Sequence, residues 1–177
     1  WLSRPLSGPV GAGGWGHLLD DVGSAYDVGL SSLRAVVRQA DGRTRPSPWG
    51  AATLRAVGTG IEGLIDWAGA ASKQDIAALA PVTVAAAGDG DASAVGLLER
   101  AATDLASLVA AAAPALDLGA KPTVALTGGL LLNDGPYRRL VVAALHRAHP
   151  TACARAPIHD AAWGAVLMAR ALLTETR

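Results

Sequence analysis

Gly11-Ala12-Gly13-Gly14-Trp15-Gly16-His17-Leu18-Leu19-Asp20-Asp21-Val22-Gly23-Ser24-Ala25-Tyr26 is neither a core strand nor a plain linker. Glycine at 11, 13, 14, 16 and 23 lets the backbone turn sharply and lie close to a bound molecule, because no Cβ stands in the way. Trp15 offers a flat face with one N–H donor, a platform for a sugar or other ring. Asp20 and Asp21 accept hydrogen bonds from hydroxyls. Ser24 stands where an apolar-periodic segment begins and reads as its N-cap. The local chemistry is that of a polyol-binding loop running into a helix.

From Ser24 to about Gln39, Tyr26, Leu30, Leu33, Val36 and Val37 recur at helical spacing, with Arg34 and Arg38 on the solvated side and Asp41-Gly42 as the stop. Residues 50–57, 61–67 and 73–87 read as short helices, separated by Gly58-Thr59-Gly60 and by 69–72. Pro81 breaks the last of them, since it lacks the N–H and clashes with the preceding turn. Trp49 and the Asp66-Trp67 pair are read as packing rather than as a sugar clamp. A turn at 88–91 ends in Asp91 as an N-cap. The helix after it carries Val95, Leu98, Ala102, Leu105, Val109, Ala112 and Leu116 in one buried stripe. Residues 122–127 form an apolar strand that suits a sheet covered on both faces. Gly128-Gly129 at its carboxyl end leads to a helix over 136–149, whose inner face is Tyr137, Leu140, Val141, Ala144 and Leu145. Residues 151–158 read as a second strand and 160–174 as a closing helix. Strands alternating with helices give an α/β layer.

The chain has 177 residues, enough for one domain, and 51% of them are apolar. Lys plus Arg and Asp plus Glu number 15 each, so net charge is zero and no basic run matches a nucleic-acid backbone. No charge-free apolar stretch is long enough to span a membrane, and the N-terminus is no signal peptide, which makes the cytoplasm the default compartment. The single cysteine, Cys153, excludes an internal disulfide and a cysteine-built cluster within one chain. The four histidines have no carboxylate cluster at ligand spacing, and no metal site is expected from them. Trp1 is not a natural initiator, so the chain is expected to begin inside a longer polypeptide.

The run Gly13-Gly14-Trp15-Gly16-His17-Leu18-Leu19, then Asp21 and Gly23-Ser24-Ala25-Tyr26, resembles the signature of N-acetylglucosamine kinases and of the wider BadF-BadG-BcrA-BcrD type ATPase family. Asp20 stands where that signature usually has glycine, and Val22 where it has glutamate. The resemblance implies the actin, hexokinase and heat-shock ATPase fold: two ribonuclease-H-like domains with ATP and substrate between them. It implies here a helix-rich, ribonuclease-H-like α/β domain with a short, mostly parallel sheet. Residues 1–177 would be the C-terminal domain, with the signature loop at 11–26, a helical insertion at about 43–87 and a sheet-and-helix part at about 88–177. The N-terminal domain, which carries the first phosphate loop and the catalytic base in the family, would be absent. Gly58-Thr59-Gly60 has the letters of a phosphate loop but follows the signature, and is read as a helix boundary. The resemblance also implies that Gly164, inside the closing helix, lets that helix pack closely on the sheet.

Carried over residue by residue, the resemblance makes Gly14, Trp15, Gly16 and Asp21 the sugar contacts. It makes Ala87, Gly128, Gly129 and Leu132 the nucleotide contacts. The implied activity is ATP- and Mg²⁺-dependent phosphorylation of N-acetylglucosamine or a related amino sugar at its 6-position. No catalytic residue or metal ligand is assigned to this chain, and alone it is expected to be inactive. The resembling kinases are usually dimers, and the partners expected are the amino sugar, ATP and the absent first domain, with no nucleic acid and no membrane. Two other readings stay open. Asp20, Val22 and the absent phosphate loops suit a non-catalytic sugar- or nucleotide-binding regulatory module on the same fold. An ATPase activator subunit of an acyl-CoA reductase or dehydratase would need cysteine-bound iron–sulfur chemistry, against which the lone Cys153 argues.

Overall fold

The computed structural model describes residues 2–4, 8–116, 121–132 and 134–175. The chain opens with two short antiparallel strands, β1 (Leu2–Arg4) and β2 (Gly8–Val10), which lie against the long helix described below. Three-residue strands with a proline at position 9 are too short to show alternation.

Helix α1 (Ala25–Ala40) begins as its sequence demands. Ser24 Oγ accepts from Asp27 N at 3.1 Å, and Asp27 Oδ2 accepts from Gly23 N at 2.9 Å, so two orphan N–H groups are satisfied reciprocally. Helix α2 (Pro48–Val57) has proline in its first turn and ends at Gly58 in the left-handed conformation, so Gly58-Thr59-Gly60 is a helix boundary. A 3₁₀ turn (Ile61–Gly63) runs into α3 (Leu64–Ala70), followed by α4 (Lys73–Ala77) and α5 (Ala80–Gly88). Pro81 sits in the first turn of α5, where its missing N–H costs nothing, and thereby separates α4 from α5. Helix α6 (Ala92–Leu116) is the longest element and packs along α7 (Pro136–Ala148) and α5. Strand β3 (Thr123–Ala125) precedes α7, and β4 (Cys153–Arg155) follows it and pairs parallel with β3, Val124 opposite Ala154. Helix α8 (Ala161–Glu175) closes the chain. The result is a helix-rich domain with a two-strand parallel sheet, as expected.

The core is built largely from small residues. Ala94, Ala101, Ala102 and Ala106 of α6 are buried against Ala80 of α5 and Tyr137, Val141, Ala144 and Leu145 of α7. Within the expected stripe Leu98, Ala102, Ala112 and Leu116 are buried, whereas Val95, Leu105 and Val109 are only half-buried, the last two bordering open clefts. A second cluster, Tyr26, Leu33, Val36, Leu64, Ile76 and Leu79, joins α1 to the short helices. Here α1 and α4 touch so closely that a Cβ on Gly29 would overlap the carbonyl oxygen of Ile76.

Trp49 is packing, as its spacing implied: it is 2% exposed. Its Nε1–H donates to Thr83 Oγ1 at 3.2 Å. Ser32 Oγ donates to the Val28 carbonyl, which leaves the Thr83 hydroxyl as donor in the 2.5 Å bond to Ser32 Oγ. Three helices are thus pinned by one buried polar chain. Replacing Trp49 by Phe removes that donor and opens a gap, and is expected to lower the unfolding free energy by about 1–3 kcal/mol in urea denaturation.

Two packing expectations are corrected. Strand β3 is covered on one face only: Val124 and Leu126 are buried, whereas Thr123, Ala125 and Thr127 are exposed. Ala125 reads as apolar but is small enough to be left in water, which is what made the run look covered on both sides. Gly164 was expected to bring the closing helix close against the sheet. A Cβ there would meet nothing within 4 Å, and Trp163, Val166, Leu167 and Met168 are exposed.

Candidate functional site

The loop before α1 is shaped by glycine. Gly13, Gly14, Gly16 and Gly23 all have positive φ, between +71° and +93°. The Gly16 carbonyl accepts from Leu19 N and Asp20 N, so the chain folds back on itself and presents Asp20 and Asp21 together. His17 stands edge-on to the Tyr26 ring, with centroids 5.1 Å apart, and braces the loop against α1.

The second wall is the turn after β3. Gly128 has φ +106°, and its carbonyl accepts from Leu131 N and Leu132 N. Arg138 Nη1 of α7 donates to the Leu131 carbonyl at 2.8 Å, holding the turn. Both Gly128 and Gly129 present bare backbone, with space where a Cβ would stand.

These two stretches, more than a hundred residues apart in sequence, share one cleft of about 430 Å³. Its lining includes Gly13, Gly14, Asp20, Asp21 and Val22 on one side, Thr127, Gly128 and Gly129 on the other, and Leu105, Leu108 and Tyr137 beneath. Of the residues singled out from sequence, Gly14, Asp21, Gly128 and Gly129 therefore meet in one place. Trp15 and Gly16 do not line the cleft, and Trp15 is 76% exposed beside it. Ala87 packs against the main core and Leu132 is exposed, and neither is among the residues that line the cleft.

Two residues of the site were not singled out from sequence. Tyr137 was placed on the inner face of its helix, and it is buried there at 1% exposure, but its hydroxyl also donates to the Gly23 carbonyl at 2.7 Å. Burial raises its pKa, and the carboxylates of Asp27 and Asp104 push it further up, so the hydroxyl keeps its proton and remains a donor. Replacing Tyr137 by Phe is expected to cost about 1–3 kcal/mol by stranding the Gly23 carbonyl. Hydrogen exchange at residues 13–24 should speed up, while exchange in α2 stays unchanged. The other residue is Lys73, whose Nζ lies 3.4 Å from Asp21 Oδ2 and 5.8 Å from the Tyr26 ring centroid. A capping box fixes its position: Ser72 N donates to Asp75 Oδ2 and Asp75 N to Ser72 Oγ. The legible signal was Ser72-Lys73-Gln74-Asp75 opening a short helix.

Chemically, the cleft offers carboxylate acceptors with one adjacent ammonium on the loop side and open backbone on the turn side. A ligand carrying both hydroxyls and a flat group fits such a pair of walls. The bare Gly128-Gly129 backbone suits close approach of a nucleoside. Among the described residues no group of three or more His, Cys, Asp or Glu side chains is placed to hold a metal ion. No helix among them is long and apolar enough to cross a membrane.

Comparison with known proteins gives a consistent family. The model of the BadF/BadG/BcrA/BcrD ATPase family matches residues 7–169. An N-acetylmuramic acid/N-acetylglucosamine kinase of Clostridium acetobutylicum is 29% identical over 167 residues, covering 90% of this chain and 53% of that protein. A crystal structure from Chromobacterium violaceum, assigned as an N-acetylglucosamine kinase, aligns with a TM-score of 0.68 at 31% identity, over 88% of this chain and 50% of the other. The chain thus spans about half the length of the relatives it matches.

Proposed function

The chain belongs to the BadF/BadG/BcrA/BcrD ATPase family, and from that premise we propose that it is the sugar- and adenosine-contacting half of an ATP-dependent amino-sugar kinase. The observation that carries this reading is the shared cleft, in which the Asp21 loop faces the Gly128-Gly129 turn. In this reading Asp21 accepts a hydrogen bond from a sugar hydroxyl and Gly14 lets the backbone approach the ring. Lys73 holds the Asp21 carboxylate toward the ligand. On the facing wall, Gly128 and Gly129 leave room for the adenosine. ATP supplies the phosphoryl group, and positioning of the two ligands is what these residues contribute to the transfer. The substrate proposed is N-acetylglucosamine or a close relative, phosphorylated at the 6-hydroxyl, because both relatives above carry N-acetylglucosamine kinase in their descriptions. The base that orients the attacking hydroxyl and the Mg²⁺ ligands are proposed to come from a first domain outside this chain.

The test is calorimetric titration of N-acetylglucosamine, then Mg-ADP, into the purified chain. Saturable binding of both, without sugar-dependent ADP production from ATP, is the expected result. Turnover by the chain alone would overturn the division of labour, and binding of neither ligand would overturn the half-site itself. One observation favours a second reading, a regulatory module that binds without turnover: Val22, an apolar residue, lines the cleft. A polypeptide that joins this chain to a first domain and binds sugar without phosphorylating it would decide for the module.

A further inference from the structure

A second cleft, of about 480 Å³, lies between α1, the loop 41–47 and the start of α6. Arg34 and Arg38 of α1 and Arg100 of α6 line it, with Gln39, Thr44 and Ser93 between them, and no carboxylate does. This is unusual in a chain whose acidic and basic residues are equal in number. The Asp41 carboxylate feels the charge of Arg38, but the hydrogen bonds of the nearby carboxylates go to other groups. Asp41 is held by Arg43 through Nε at 2.8 and 2.9 Å and Nη2 at 2.6 Å. Asp91 accepts from the amides of Ser93 and Ala94 as the cap of α6. Three arginine side chains therefore border one concavity, two of them four residues apart on one helix, where like charges repel; Arg34 and Arg38 also border an apolar cleft between α1 and α3.

We infer that this cleft is a binding site for a small phosphate-bearing anion, separate from the signature cleft and independent of the activity proposed above. The guanidinium fork matches phosphate oxygens in pairs, and an anion held by three of them offsets their mutual repulsion. The hydroxyl groups of Ser93 and Thr44 suit the remaining oxygens or an attached sugar, while the Gln39 amide is bonded to Ser47. The cleft volume fits a small molecule rather than a polymer, and zero net charge gives the surface no general pull on nucleic acid.

The probes are inorganic phosphate, pyrophosphate and glucosamine 6-phosphate, added to the full chain at constant ionic strength. Backbone amide shifts should move in residues 31–44 and 92–100 and stay still in 11–24. Arg34→Gln and Arg100→Gln should each weaken binding about tenfold, as expected for loss of one charge-assisted contact, with Asp21→Asn binding as tightly as the parent. Each arginine variant should melt no lower than the parent without phosphate, since repulsion is relieved. The ligand-induced rise in melting temperature should then shrink with the affinity. Tighter binding of the sugar phosphate than of inorganic phosphate assigns the site to phosphosugars, and equal binding assigns it to free phosphate. Shifts confined to the signature loop, equal binding by the arginine variants, the same response to potassium chloride, or preference for an oligonucleotide would each overturn the inference.

Discussion

Gly23→Ala is expected to lower the unfolding free energy by about 3–5 kcal/mol, a large part of the roughly 5–15 kcal/mol available to a domain of this size. Three effects act together. Gly23 has φ +71°, where a side chain costs about 1–2 kcal/mol through its clash with the following carbonyl. Its Cβ would also lie 2.8 Å from the Ala101 carbonyl oxygen and within contact-forbidden range of Leu105 Cγ, on the rigid middle of α6. Nor can the backbone retreat, because the Gly23 N–H is bound by Asp27 and its carbonyl by Tyr137. Gly14→Ala is the matched control. Gly14 has φ +75°, nearly the same conformation, but open space around it. It should lose only the conformational cost, about 1–2 kcal/mol. Urea denaturation of both variants separates strain from overlap, and equal losses would show that crowding against α6 contributes nothing.

Asp21→Asn is expected to weaken N-acetylglucosamine binding by about 10- to 100-fold, the equivalent of one charge-assisted hydrogen bond of about 1.5–3 kcal/mol. Affinity for Mg-ADP should be unchanged, because the Gly128-Gly129 turn forms the opposite wall. Stability should hardly move. The Asp21–Lys73 pair is partly exposed at 3.4 Å, and such pairs contribute about 0–1 kcal/mol. The two readouts therefore separate: a ligand contact shows as lost sugar affinity in a protein that melts normally. Equal loss of both ligands, or of neither, would remove Asp21 from the sugar side. Lys73→Met should weaken sugar binding less than Asp21→Asn does, as befits a residue that positions the carboxylate without touching the sugar.

Local chemistry made much of this fold legible. Ser24, Gly58, Pro81 and Asp91 punctuate the helices where capping and proline sterics require, and the glycines of 13–23 mark the loop in the sequence itself. Gly128-Gly129 after β3 marked the other wall. What sequence could not show is how distant pieces meet. Lys73 sits on a short helix whose approach to Asp21 depends on the crossing of α1 and α4 at Gly29. The Tyr137 hydroxyl is invisible to periodicity, which reports only that its ring is buried. Trp15 has the composition of a ligand platform, yet local backbone geometry turns it outward. Ala87 and Leu132 lie close in sequence to turns that shape the domain, and neither is among the residues that line the cleft.

The hydrogen bond from Tyr137 to Gly23 also sets an order in time. Its partners are 114 residues apart, so the signature loop lacks this anchor until most of the chain has left the ribosome. The helices between 25 and 88 close over short separations and are free to assemble much earlier, since nearby segments find one another faster than remote ones. A nascent chain that ends before α7 would therefore carry the smaller cluster of α1, α3 and α4 while its ligand loop is still untied. A ligand added at that stage meets a half-built pocket, and a nascent chain halted before α7 should be compact and blind.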